Sequence, residues 1–342
     1  MSGLQDLASE LQELHVFHDP ATGLRAVIAV DDSTLGPPRG GTRLRRYPDL
    51  LDGAREAARL ARGMTHKFAV HGIPFGGGKA VILQDDAGED RAVLEARLRA
   101  YGRCLERLGG FFATGPDFGI GGKEVAVIQE VTSLALGEHG SNAGEATAAG
   151  VRAALELALA QGGLELKGAR IAVSGVGAVG GALARQLAER GARLLVADTN
   201  QTRVQDLAHE IKAEVVDPDA ILFTEVDALA PCAVGELFTL ESVARLRCKV
   251  VAGAANDQLV DADRTSSALA ARGILFVPDF VANGGAAVTL SAKLQGGEEA
   301  EVAVGEARIR ATTREVLERA LREAITPYAA ALAMSGEARG RG

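Results

Sequence analysis

Basic residues are the scarcer sign in this 342-residue chain, with 37 Lys and Arg against 45 Asp and Glu, a formal net charge of −8. Without a positive excess, nucleic acid and anionic membrane surfaces are excluded as principal partners. Cysteine is sparse too. Cys104, Cys232 and Cys248 are odd in number, widely spaced and free of any C-x-x-C pair. That argues against a disulfide framework and a zinc site, and each reads as a small buried apolar residue. The six histidines show no metal-ligand spacing, so no metal is expected. Long apolar runs are missing as well, because Gly, Asp or Arg interrupts each one before the ~18 residues of a membrane span. The first residues carry Asp6, Glu10 and Glu13 and no basic segment leading into an apolar stretch, unlike a secretory leader. A cytoplasmic location is expected.

What is present suffices for folding. Hydrophobic residues make up 47% and charged residues 24%, and the length suggests two domains at ~100 to 200 residues each. The first stretch reads as strands: Leu14 to Phe17, Gly23 to Val30, and Thr42 to Tyr47 after the Gly40-Gly41 pair. Helical spacing follows over Asp52 to Arg62, ended by Gly63, and over Arg91 to Leu108 and Glu145 to Gln161. From Ala169 buried strands alternate with helices: Ile171 to Val173, Val179 to Arg190, Leu194 to Ala197, Val204 to Ile211, then strands near Ala228 and Val250. That alternation implies an α/β fold with a doubly wound parallel sheet. Ala307 to Ala324 is amphipathic and is expected to dock back on the first domain; Gly336 to Gly342 is expected to fray.

Gly175-Val176-Gly177-Ala178-Val179-Gly180 is a G-x-G-x-x-G that follows one of these strands and opens a helix, the context in which the pattern is specific. Gly175 makes the tight turn, Gly177 lets the backbone approach a pyrophosphate, and Gly180 lets helix and strand pack closely. Asp198 ends the next strand, 18 residues past Gly180 (198 − 180), where a carboxylate can accept from the adenosine ribose and repel a 2′-phosphate. NAD is therefore favoured over NADP, although Arg203 could meet a phosphate if its loop folded inward.

Lys67 and Lys79 flank an apolar, glycine-rich stretch, Phe68 to Gly78. A P-loop is excluded, since Ile73 stands six positions before Lys79 and Ala80 follows it. The alternative use of such a lysine is as a general base. Desolvation and a neighbouring cation, here Lys67, would lower its pKa toward neutrality.

At these residues the chain resembles the dehydrogenases of glutamate, leucine, valine and phenylalanine. The matching segments are Gly40-Gly41-Thr42-Arg43, Gly63-Met64-Thr65-His66-Lys67, Gly76-Gly77-Gly78-Lys79, Gly115-Pro116-Asp117, the fingerprint at Gly175, Ala252 to Asn256, Pro278-Asp279-Phe280 and Asn283-Gly284-Gly285. They span most of the chain, whose length is that of the shorter leucine and phenylalanine branch. The resemblance implies an N-terminal α/β substrate-binding and oligomerisation domain over 1–138 and a Rossmann NAD-binding domain over 139–317. A terminal helix from about 318 would pack on the former, and the active site would lie in the cleft between the domains. It makes Lys79 catalytic, Asp117 a proton shuttle on the substrate amine, and Lys67 the cation for the α-carboxylate, aided by Gly40, Gly41 and Met64. Thr147, Asn256 and Asn283 match positions at the nicotinamide end of the cofactor and the substrate. The implied activity is that of a homo-oligomeric oxidoreductase, an NAD-dependent dehydrogenase deaminating an L-amino acid.

Departures bear on the substrate. Arg39 stands where leucine-type members carry an apolar residue and glutamate-type members a lysine, while Leu290 replaces the serine that accompanies that lysine. Pro116 stands where an acidic residue is expected. Gly115, Ala287 and Leu290 leave room for a bulky apolar side chain, so a branched-chain or aromatic substrate is expected, with Arg39 turned outward to a surface carboxylate. If Arg39 instead points into the pocket, an acidic or polar substrate follows. A non-catalytic dinucleotide sensor is the other class of reading.

Overall fold

Side-chain alternation along the strands decides the layering. The computed structural model describes residues 2–84, 90–137, 142–295 and 302–340, which fall into two units, 1–69 with 73–141 and 70–72 with 142–342. The domain boundary expected at 138/139 lies outside the described residues, as do the last two of the tail.

The first unit runs α1 (Ser2–Ser9), β1 (Glu13–Asp19), β2 (Leu24–Asp32), β3 (Pro38–Arg45), α2 (Leu50–Val70), β4 (Gly76–Leu83), α3 (Arg91–Arg107), β5 (Ala113–Gly115) and α4 (Gly122–Gln129). Its sheet has the order β1-β2-β4-β3-β5, antiparallel at β1-β2-β4 and parallel at β4-β3-β5. Alternate residues of β4 serve two cores. Ala80 and Ile82 pack with Leu98, Tyr101 and Leu105 of α3, whereas Val81 and Leu83 pack with Ala54, Ala57, Ala58 and Ala61 of α2. On the α3 face, the Thr42 hydroxyl lies 2.7 Å from that of Tyr101 and 2.5 Å from that of Thr114, tying β3 to β5.

Two expectations are corrected here. Helix α2 runs through Gly63 to Val70, because the position of Gly63 faces open space and a missing side chain there removes no packing. Strand β3 starts at Pro38, so Gly40 and Gly41 are strand residues paired with β5.

The second unit runs α5 (Ala143–Gln161), β6 (Arg170–Ser174), α6 (Ala178–Glu189), β7 (Arg193–Ala197), α7 (Gln201–Ile211), β8 (Glu214–Val215), β9 (Ala228–Pro231), α8 (Leu240–Arg245), β10 (Val250–Val251), α9 (Ala262–Ala271), β11 (Leu275–Phe276), α10 (Asp279–Ala282), α11 (Gly285–Leu294), α12 (Val302–Glu323) and α13 (Pro327–Ala338). Its six strands are all parallel, ordered β11-β10-β9-β6-β7-β8. Ile171 and Val173 of β6 face one core and Ala172 the other, the doubly wound arrangement.

The C-terminal helices belong to this second unit, not to the first. Val316, Leu317 and Ala320 of α12 share a core with Val151, Ala154 and Leu155 of α5, and Arg152 bridges to Glu306 at 2.6 Å. The apolar stripe of α12 is thus consumed by α5, a partner that amphipathicity alone does not identify. Among the described residues no helix is long and apolar enough to cross a membrane, and no cluster of His, Cys, Asp and Glu could hold a metal.

Gly77 marks where α2 lies closest to the sheet. A Cβ there would fall 2.1 Å from Thr65 Oγ1, 2.4 Å from Thr65 N and 2.6 Å from Ala61 O. Gly77→Ala is expected to destabilise the protein by ~3 kcal/mol, the upper end for overpacking, because backbone must move. Chemical denaturation measures it, and an unfolding midpoint within error of wild type would refute the close approach.

Candidate active site

Residues 39, 41 and 43 of β3 share one face by strand alternation, and the pairing register extends that row across the sheet. Arg39 stands beside Gly77 of β4 and Ala113 of β5, and Gly41 beside Gly115. Lys79, two residues beyond Gly77, emerges on the same face, where its Nζ meets Asp117 Oδ2 at 2.8 Å. Lys79 is only 4% exposed. A Cβ on Gly41 would come within 3.3 Å of Lys79 Nζ, 3.0 Å of Asp117 Cβ and 2.6 Å of Pro116 O. Glycine is what leaves the pair its space. Asp117 is fixed by a turn in which it exchanges backbone hydrogen bonds with Ile120 at 3.1 and 2.9 Å.

A second cation completes the pair. Arg43 donates from Nε to Asp117 Oδ2 at 3.1 Å and from Nη1 to Glu56 Oε1 at 2.5 Å, and Arg59 donates to the other oxygen of Glu56 at 2.6 Å. Burial would raise the Asp117 pKa, but the charges of Lys79 and Arg43 outweigh it and hold the carboxyl well below the usual range. The two cations thus favour the ionised form of Asp117. Arg43 had no role in the sequence reading. The signal was its spacing, two residues past Gly41 on a strand and hence on the face of Lys79.

Lys67 lies buried in the last turn of α2, with Met64 partly exposed about one turn earlier. Gly40 sits so close to β4 that a Cβ would fall 1.7 Å from Gly78 O. Among the described residues Arg39 pairs with no carboxylate. Its Nε and Nη1 are buried without a hydrogen-bond partner, and its guanidinium lies 5.5 Å from the centre of the Phe75 ring. Strand alternation turns it onto the Gly41 face, the aromatic ring gives it a surface to lie on, and burial lowers its pKa.

In the second unit the fingerprint loop leaves β6 where the strand order reverses, the place where such sheets bind ligands. Gly175 has φ +90°, which a side chain rarely adopts, and a Cβ on Gly180 would fall 1.9 Å from Gly175 O. Nothing lies within 4 Å of the Cβ position of Gly177. This bare backbone at the N-terminus of α6 fits a pyrophosphate; the hollow of about 230 Å³ beside it, between α6 and α7, is bordered by Arg203 and by Asp206 and Glu210, the last paired with Arg185. Val179 packs against the core behind the loop.

Asp198 holds this loop as well as facing it. Oδ2 accepts from the Val176 N–H and Oδ1 from the Asn200 N–H, both at 2.8 Å. Arg203 Nη1 sits 3.7 Å from Oδ2, so this arginine turns toward the carboxylate. Each oxygen keeps a lone pair for a further donor, such as a ribose hydroxyl.

Asn283 donates from Nδ2 to Asn256 Oδ1 at 2.8 Å and to Ala254 O at 3.1 Å, while its Oδ1 is buried without a partner. Gly285 approaches α5 so closely that a Cβ would lie 2.1 Å from Ala146 O and 3.2 Å from Thr147 Cα, which sets the start of α11 against α5 at Thr147. The Thr147 hydroxyl donates to Ala143 O at 2.9 Å. Ala287 and Leu290 lie on the following helix, α11, with Leu290 36% exposed. Asp279, which the sequence reading left without a role, accepts the Asp257 N–H at 2.8 Å beside this group.

Known proteins resemble this chain over nearly its whole length. Residues 12–133 match the family described as Glu/Leu/Phe/Val dehydrogenase, dimerisation domain, and residues 140–206 and 193–332 match Glutamate/Leucine/Phenylalanine/Valine dehydrogenase. The chain is 38% identical over 331 residues to leucine dehydrogenase of Bacillus subtilis (strain 168), covering 94% of this chain and 89% of that protein. Identity to phenylalanine dehydrogenase of Bacillus thermotolerans is 35% over 335 residues, covering 94% and 87%. Among solved structures, L-tryptophan dehydrogenase from Nostoc punctiforme superposes with a TM-score of 0.77 at 31% identity, covering 99% of this chain and 98% of that one. With both parts of the chain matched by the family models, the chain belongs to the Glu/Leu/Phe/Val dehydrogenase family and is an amino acid dehydrogenase of its shorter branch.

Proposed function

We propose that the protein catalyses the reversible, NAD-dependent oxidative deamination of an L-amino acid to its 2-oxo acid and ammonia, as a homo-oligomer built through the first unit. The buried Lys79–Asp117 pair at 2.8 Å carries this reading. When bound, the nicotinamide accepts the hydride that leaves Cα. Lys67, with the backbone of Gly40 and Gly41, holds the substrate α-carboxylate, and Met64 lines the same site. Water attacking the iminium must lose a proton at neutral pH, and Lys79 is the base that takes it. Asp117 orients Lys79 and exchanges protons with the substrate amine; its depressed pKa makes it a conduit rather than a resting place for a proton. Gly175 to Gly180 and Asp198 hold the dinucleotide, with Thr147, Asn256 and Asn283 at its nicotinamide end.

Gly115, Ala287 and Leu290 are small or apolar, which favours a branched-chain or aromatic substrate. Arg39 favours a second reading. A half-buried guanidinium whose Nε and Nη1 are buried without a partner is costly to desolvate, and a substrate side chain ending in an acceptor would supply what the protein does not.

Mixing the protein with NAD and a panel of L-amino acids tests the activity through NADH fluorescence, which stays flat for a dinucleotide sensor. Lys79→Ala is expected to lower kcat by ~10²- to 10⁴-fold while leaving NADH binding intact. Retention of more than about a tenth of the wild-type kcat excludes the general-base role. In the oxidative direction activity should rise with pH, since attack by water needs an unprotonated base; Asp117, already ionised, contributes nothing to that rise.

Asp198→Ala is expected to raise KM for NAD, by loosening Val176, and to narrow the preference for NAD over NADP. A wild-type protein that already prefers NADP would transfer the determinant to Arg203.

Arg39→Leu separates the two substrate readings. Unchanged or improved kcat/KM for leucine and phenylalanine supports the apolar pocket, whereas a large loss confined to glutamate makes Arg39 the side-chain receptor.

A further inference from the structure

Four residues of helix grip one loop at both ends. The first residue of α10, Asp279, accepts the backbone N–H of Asp257 on its carboxylate at 2.8 Å. The residue just past its last, Asn283, donates to Asn256 Oδ1 at 2.8 Å and to Ala254 O at 3.1 Å. Segment 254–257, which follows β10, is thereby held from one side by a single turn.

The held conformation is strained. Asp257 has φ +57° and Glu236, which donates its N–H to Asp257 O at 2.7 Å, has φ +55°. Neither is glycine, and such backbones persist only where the surroundings over-determine them. Gly235 shows how tight the far side is, since a Cβ there would fall 2.1 Å from Asn256 O and 2.7 Å from Asp257 O. Asp279 itself is 8% exposed, so its charge-assisted hydrogen bond acts in a poorly solvated place.

We infer that Asp279 is a positioning residue: by holding Asp257 in the left-handed conformation it fixes Asn256, and through Asn256 the Asn283 amide that meets the nicotinamide end of the cofactor. This rests on the dehydrogenase reading above. Both Asn283 donor contacts are committed to protein oxygens, which sets the orientation of the amide and leaves the acceptor capacity of the buried Oδ1 unused by the protein. Without the Asp279 carboxylate, Asp257 relaxes to negative φ, the Asn256 peptide rotates and the amide loses its aim.

The test compares Asp279→Ala, Asp279→Asn and the double variant Asp279→Ala/Asp257→Gly with wild type. NADH binding is followed by its fluorescence and ADP-ribose binding by competition, because ADP-ribose lacks the nicotinamide. Asp279→Ala is expected to weaken NADH relative to ADP-ribose and to lower kcat by ~10- to 100-fold, the scale of a small misplacement at a reacting centre. Asp279→Asn keeps an acceptor oxygen and should recover most of the loss. The double variant should recover at least ~5-fold over Asp279→Ala, because glycine takes positive φ without help.

An Asp279→Ala protein with the wild-type NADH to ADP-ribose ratio overturns the inference, and so does a double variant no better than the single one. A fall in thermal stability alone, with the NADH to ADP-ribose ratio and kcat unchanged, makes Asp279 structural and also overturns it. Wild-type protein that binds no NADH, or binds it and oxidises no amino acid, refutes the dehydrogenase reading instead and removes the ground on which this inference stands.

Discussion

Burying Lys79 against Asp117 constrains everything around the pair in the first unit. Removing two charges from water costs several kcal/mol per ion, and attraction repays that only with short contacts and further hydrogen bonds. Arg43 supplies those, and Glu56 with Arg59 then satisfies Arg43, so the charges continue outward along α2. The glycines follow from the same constraint. Gly41 clears space above the pair, and Gly77 lets α2 reach the sheet, where Glu56 meets Arg43.

The second unit relies on a different device, used twice. After β6 the Val176 N–H is held by the Asp198 carboxylate, and after β10 the Asp257 N–H is held by that of Asp279. In each case a loop at the carboxyl end of a parallel strand is tied by an acid just past the carboxyl end of the neighbouring strand, Asp198 after β7 and Asp279 after β11. Parallel sheets place ligands at this edge, where the loops lack ladder partners and would otherwise adopt many conformations. A charge-assisted bond to a backbone donor fixes such a loop without filling the space in front of it.

The sequence made much of this plan readable, and its failures have physical causes. The doubly wound unit was legible because strand and helix periods alternate and the fingerprint sits between them. Gly63 misled because glycine weakens a helix by only ~1 kcal/mol, less than the packing that carries α2 through it. The destination of α12 was not legible, because an apolar stripe specifies burial and not the partner. Arg43 and Asp279 were visible as members of motifs, but their roles depend on contacts with Asp117 and Asp257, 74 and 22 residues away. Such distant pairings do not register as local periodicity.

Two arginines on one strand face show how the same chemistry serves opposite ends. Arg43 is met by two carboxylates and has its pKa raised, burial notwithstanding, by Asp117 and Glu56. Arg39, four residues earlier and on the same face, is met by an aromatic ring and has its pKa lowered by burial. A cation satisfied by the protein stabilises the fold it belongs to. One left with buried, unpaired donors is a cost to the folded state, about 1 to 3 kcal/mol for an ordinary unsatisfied group and more for a charged one. The aromatic contact offsets part of that, at ~0.5 to 2 kcal/mol. The remainder is recoverable only when an acceptor enters beside Arg39. Any acceptor that enters beside Arg39, from substrate, cofactor or water, would relieve this cost, and in the proposed reaction a polar substrate side chain is one such source.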